Sequence, residues 1–123
     1  MSKPGKTGIA RVIDAFGYSM KGFAASWRYE AAFRQEVGLA VILIPTAFWL
    51  ARNHIELILL ISSVFWVLMA ELANSSVEAV VDRTGSERHE LSGRAKDIGS
   101  ALVFMSLVLL AVVWGIIAFN RFG

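Results

Sequence analysis

Residues 98–119, IGSALVFMSLVLLAVVWGIIAF, form a run of twenty-two positions without an ionisable side chain. At a rise of 1.5 Å per residue such a run covers about 33 Å as a helix, which matches a hydrocarbon core of roughly 30 Å. Lipid offers no partner to backbone N–H and C=O groups, so the run must form a helix that bonds to itself. The chain is therefore expected to be an all-α integral membrane protein. Its 123 residues, 56% of them hydrophobic, and its mean hydropathy of +0.59 agree with that class. A single unit over 1–123 is expected, with no room for a separate catalytic domain.

Two earlier apolar stretches are shorter. Residues 37–51 carry no charge and contain Pro45, which a membrane helix tolerates when neighbours satisfy the freed carbonyl. Residues 57–70, LILLISSVFWVLMA, are fourteen without charge. Both fall below the ~20 residues a bilayer requires, unless the polar residues at their inner ends face protein. On that reading a helix from residue 56 to 84, capped by Gly85, would cover ~43 Å. Three spans are expected, at 30–51, 55–84 and 91–121, with the polar turn Arg52-Asn53-His54 between the first two.

Ahead of the spans, Ile9, Val12, Ile13, Phe16, Met20, Phe23 and Trp27 recur at three- and four-residue steps, while Arg11, Asp14, Tyr18 and Lys21 fall on the opposite face. This predicts an amphipathic helix over 9–28 lying in the membrane interface, after a flexible tail at 1–8. The chain start does not read as a signal peptide, because no short apolar core with a small-residue cleavage site follows it. Glu30 and Arg34 stand four apart, so on a helix they would stack and pair. Lys3, Lys6, Arg11, Lys21, Arg28 and Arg34 precede the first span, and Arg83, Arg88, Arg94 and Lys96 lie between the second and third. Only Arg52 and Arg121 lie on the other side, and ten basic residues against two predict a cytoplasmic N-terminus and an outer C-terminus.

Several chemistries are excluded. There is no cysteine, so thiolate metal sites and a cysteine nucleophile are absent. Basic and aromatic residues do not interleave as they would on a nucleic-acid-binding face, so no nucleic acid is expected as partner. Gly5-Lys6-Thr7 lacks the earlier glycine and the strand of a phosphate loop, and His89-Glu90 is followed by Gly93 where a zinc motif needs its second histidine. No internal repeat suggests a transporter.

The polar residues that remain fall on one face of the second span. Glu71, Asn74, Ser75, Glu78 and Asp82 lie at offsets of three, four, seven and eleven, within roughly a 100° arc of a helix. An ionised residue at mid-bilayer costs about 2.5–3.5 kcal/mol, so carboxylates there need protonation, partners or cations. Their hard oxygens suit Mg²⁺, which takes one or two carboxylates together with substrate phosphates. Asp82 equally suits a helix end entering water. By itself the stripe also suits a non-catalytic membrane assembly protein or an ion pathway. Trp27, Trp49, Trp66 and Trp114 are explained as interface anchors or packing.

Four stretches, RVIDAFGYSMKG at 11–22, EAAFRQE at 30–36, ELANSSVEAVVDR at 71–83 and GSERHELSGRAKDIGSA at 85–101, resemble the bacterial integral-membrane diacylglycerol kinase family over essentially the whole chain. The resemblance implies a homotrimeric helical bundle of three-span subunits in the bacterial inner membrane, transferring the γ-phosphate of ATP, with Mg²⁺, to diacylglycerol. It makes Glu71 the general base with Asn74 beside it, and Glu30 and Glu78 ligands of the metal. Nucleotide would be held by Arg11, Tyr18, Glu30, Glu78, Glu87, Arg88, His89, Lys96 and Asp97. Lipid would lie along 15–20, 24–27 and 32–36, with Arg11, Ala15, Gly17, Ser19, Trp27, Arg34, Gln35, Glu36, Trp49, Ser100 and Trp114 named for it. Ser76 stands where the family pattern leads one to expect alanine. The same fold acting on undecaprenol is the alternative acceptor.

Overall fold

A computed structural model describes residues 7–83 and 90–123. The described residues form four helices: α1 (Gly8–Tyr29), α2 (Ala31–Leu50), α3 (His54–Arg83) and α4 (Glu90–Phe122). Of these, α2, α3 and α4 are long and apolar enough to cross a membrane. The expected Gly85 cap and the residues Glu87, Arg88 and His89 lie outside the described residues.

α1 and α2 are separated at one residue. Glu30 adopts an extended backbone, φ −118° and ψ 105°, while its N–H still donates to Ser26 O at 2.9 Å. The Glu30–Arg34 pair expected from helical spacing does not form, because that spacing assumes an unbroken helix. Arg34 instead turns back, its Nη1 donating to Trp27 O at 2.6 Å and to Arg28 O at 3.3 Å. It thus covers carbonyls that the end of α1 would leave without partners. The carboxylate of Glu30 is free to turn toward α3.

The polar turn between α2 and α3 closes a hairpin by reciprocal capping. Asn53 Oδ1 accepts from Glu56 N at 2.9 Å, and Glu56 Oε1 accepts from Arg52 N at 2.9 Å. The same carboxylate holds the Arg52 guanidinium at 2.7 Å, and Arg52 reaches Asn120 O at 3.3 Å, tying the end of α4 to this turn. α4 therefore returns antiparallel to α3.

α3 is the central helix, packed on α4 along one side and α2 along another. Near the hairpin Ala47, Leu50, Leu60 and Ile117 are buried together. There the Trp114 indole N–H donates to Ser63 Oγ at 3.1 Å and Leu60 O at 3.3 Å, while the Ser63 hydroxyl itself donates to Leu60 O at 2.8 Å. These bonds join α4 to α3 inside the apolar layer. Trp114→Phe removes the donor and leaves the Ser63 hydroxyl satisfied. We expect it to destabilise the protein by about 0.6–1.7 kcal/mol through the lost interhelical bonding, read as an earlier unfolding midpoint in a detergent titration.

Candidate active site

The five polar side chains that share one arc of α3 differ in depth along it. Glu71 and Asn74 are buried, 5% and 8% exposed, Ser75 and Glu78 are half-buried, and Asp82 is exposed. The stripe thus grades from a dry end to a wet end. At the dry end Glu71 stands within electrostatic reach of Glu78 and Glu30, and Glu36 on α2 within reach of Glu71. Three carboxyl groups, from the α1–α2 joint, from α2 and from α3 itself, thus lie within electrostatic reach of Glu71.

Hydrogen bonds fix the positions of two of them. Asn74 Nδ2 donates to Glu78 Oε1 at 2.9 Å, and the Ser75 hydroxyl donates to Glu30 Oε1 at 3.0 Å. The second bond spans helices, so the residue that breaks α1 from α2 is fastened to the stripe. Ser75 was expected only as a member of the arc, and its role becomes visible once the backbone turns at Glu30. Two oxygens, Asn74 Oδ1 and Glu36 Oε2, are buried without a donor.

α4 supplies the opposing charge. Lys96 Nζ lies 2.8 Å from Asp82 Oδ1, across the α3–α4 interface. Asp82 therefore does more than carry α3 into water. Asp97 and Ser100 are exposed on the same helix, as are Arg11 and Tyr18 on α1.

Beside the stripe lies an apolar cleft of about 470 Å³ between α1 and α3. From α1 it takes Ser19, Gly22, Phe23, Ala25, Ser26 and Tyr29, from α3 Leu72, Ser75, Ser76 and Ala79, and Glu30 closes it. Ser19 and Glu30 are the two individually expected site residues on its wall. Leu72, Ser75, Ser76 and Ala79 follow one another at offsets of three, four and seven, a second face of α3 adjoining the acidic one, and that periodicity was a usable signal. Ser76, with its hydroxyl on Ala73 O at 2.7 Å, adds little polarity to this wall.

Other expected lipid residues stand apart from the cleft. Trp49 is exposed near the hairpin end, its ring centroid 5.7 Å from that of Phe122. Trp114 bonds to Ser63, about 12 Å along α3 from Glu71 at 1.5 Å per residue. Ala15, Gly17, Trp27, Arg34 and Gln35 are exposed along α1 and the start of α2.

The donor set suits a hard divalent cation. Every candidate ligand is oxygen, the carboxylates of Glu30 and Glu78 are each oriented by one bond, and the orphaned Asn74 oxygen belongs to the amide that orients Glu78. Among the described residues no three carboxylates or imidazoles could hold a metal by themselves. Mg²⁺ completed by substrate phosphates needs only one or two.

Comparison with known proteins agrees in extent. The family described as prokaryotic diacylglycerol kinase matches residues 17–118. A diacylglycerol kinase of Escherichia coli (strain K12) is 53% identical over 118 residues, covering 95% of this chain and 96% of that protein. One from Haemophilus influenzae is 54% identical over 113 residues, covering 92% and 96%. One from Pseudomonas aeruginosa is 50% identical over 113 residues, covering 92% of each. With the family matching residues 17–118 and these relatives 50–54% identical over more than nine-tenths of the chain, the chain belongs to the prokaryotic diacylglycerol kinase family.

Proposed function

We propose that this chain is an ATP-dependent lipid kinase that phosphorylates the hydroxyl of diacylglycerol to give phosphatidate, with the acidic stripe of α3 as the place of transfer. Relatives at this identity are named diacylglycerol kinase. The observation that carries the choice of site is Glu71, a carboxyl buried in a spanning helix beside an apolar cleft and within reach of two further carboxylates. A membrane protein bears such a cost where the group has work to do.

Phosphoryl transfer asks chiefly for positioning and charge neutralisation. The cleft holds the lipid with its hydroxyl toward Glu30 and Ser75. Glu71 accepts the alcohol proton as the oxygen attacks the terminal phosphorus of ATP, and ADP leaves. Lys96, kept in place by Asp82, and Arg11 offset phosphate charge. Glu30 and Glu78 would hold Mg²⁺, which supplies neutralisation of the ATP oxygens. Tyr18 and Asp97 complete the nucleotide side with Glu87, Arg88 and His89, which lie outside the described residues.

α1 lies in the membrane interface, its exposed Ile9, Val12, Ile13 and Phe16 toward lipid. The positive-inside balance sets the N-terminus and the 84–89 connection in the cytoplasm. The active assembly we propose is the homotrimer that the family resemblance implies, and the exposure of Lys96, Asp97, Arg11 and Tyr18 in one subunit supports a site that neighbouring subunits complete. Asp82→Asn is expected to raise KM for Mg-ATP by no more than about fivefold, because the Lys96 pair is exposed. Steady-state kinetics at saturating lipid would show it.

Purified protein in mixed micelles, given ATP with diacylglycerol or undecaprenol, tests the function. Preferential phosphatidate formation is the expected result. Equal or faster polyprenyl phosphate formation would reassign the acceptor, and the absence of ADP with either lipid would overturn the kinase.

A further inference from the structure

Gly99 is the one buried glycine among the described residues, and it faces Asn74. A Cβ built there would overlap the Asn74 amide oxygen, stand 3.2 Å from its Cγ and 3.8 Å from its Cα. The backbone separation is therefore an ordinary contact, and the side chain of Asn74 alone occupies the space a methyl would take. Gly93 and Gly115, on the same helix, have nothing within 4 Å of an added Cβ. Small residues let helices approach closely in membranes, but here the space is filled by one amide rather than by backbone.

The orientation of that amide follows from its other end. The Asn74 NH₂ donates to Glu78 Oε1 at 2.9 Å, so the oxygen of the same planar amide points the other way. The oxygen is buried, has no donor and rests against Gly99. Were it pushed away, Asn74 would rotate and the bond that holds Glu78 would be lost.

We infer that Gly99 is a positioning residue of the transfer site: its missing side chain is the recess that holds Asn74 in the rotamer that aims Glu78. This rests on the reading of Asn74 and Glu78 as parts of the site. Gly99 sits three residues beyond Lys96 on α4, so the recess also couples the register of the cationic helix to that of the acidic one.

The test is a double-mutant cycle in the full-length protein in mixed micelles. Gly99→Ala should lower kcat and kcat/KM for Mg-ATP by roughly 10- to 100-fold, as a small misplacement of a site group does, and move the Mg²⁺ activation curve to higher concentration as a displaced Glu78 would, with KM for diacylglycerol within about twofold. Gly115→Ala should leave kcat near wild type. In the Asn74→Ala background the oxygen that collides is gone, so adding Gly99→Ala should cost nothing further in kcat or in thermal midpoint. Should Gly99→Ala fail to fold, the double variant should recover folding, and its failure to do so would overturn the inference. Wild-type kcat in Gly99→Ala, or full additivity of the two substitutions, would also overturn it while leaving the site reading intact. Full turnover by Asn74→Ala would instead refute the site reading, and the inference with it.

Discussion

Glu71→Gln is expected to reduce turnover by about 10³-fold, within the range that general-base removal commonly costs. The substitution keeps the shape of a side chain that is 5% exposed in the middle of α3, and it removes a group that can accept a proton. KM for Mg-ATP should change little, since the resemblance gives nucleotide binding to other residues. Size-exclusion chromatography should show an unaltered oligomer. A neutral side chain also relieves repulsion from Glu78 and Glu30, so the variant should be at least as resistant to unfolding as the parent. Loss of activity through misfolding and loss through chemistry therefore separate cleanly. A fully active variant would refute the assignment of the base.

Glu78→Gln should act differently. Glutamine can still accept from Asn74 Nδ2, so the local hydrogen bond survives, but the negative charge does not. The expected result is a fall of about 10²-fold in kcat/KM for Mg-ATP, with the Mg²⁺ activation curve moved to higher concentration. Lipid KM should be unaffected, because Glu78 does not line the apolar cleft. An unchanged Mg²⁺ dependence would remove Glu78 from the metal site. The contrast between the two glutamines, one losing turnover and the other losing metal-nucleotide affinity, distinguishes an enzyme from an ion pathway using the same stripe.

Much of this was legible in the sequence because a bilayer leaves few choices. The uncharged run at 98–119 could only be a helix, and α4 contains it. The acidic arc of α3 followed from helical periodicity alone, while its burial at Glu71 and Asn74 comes from the packing of the other helices on α3. What was not legible depends on how helices meet. The i,i+4 rule paired Glu30 with Arg34, and the extended backbone at Glu30 sends Arg34 to the carbonyls of Trp27 and Arg28 and Glu30 to Ser75. Asp82 looked like an ordinary helix exit until α4 brought Lys96 to it. Gly99 carries no signal of its own, since its importance is the atom it leaves out.

On the proposed reading, phosphoryl transfer takes place along the acidic face of α3, between the cleft of α1 and the cations of α4. A structure of the protein with a non-hydrolysable ATP analogue, Mg²⁺ and diacylglycerol tests it most directly, by the position of the terminal phosphorus. That phosphorus is expected beside Glu30 and Glu78, with the lipid hydroxyl within about 2.6–3.2 Å of a Glu71 oxygen. Phosphates bound at the opposite end, around Arg52 and Arg121, or a lipid hydroxyl out of reach of Glu71, would contradict it.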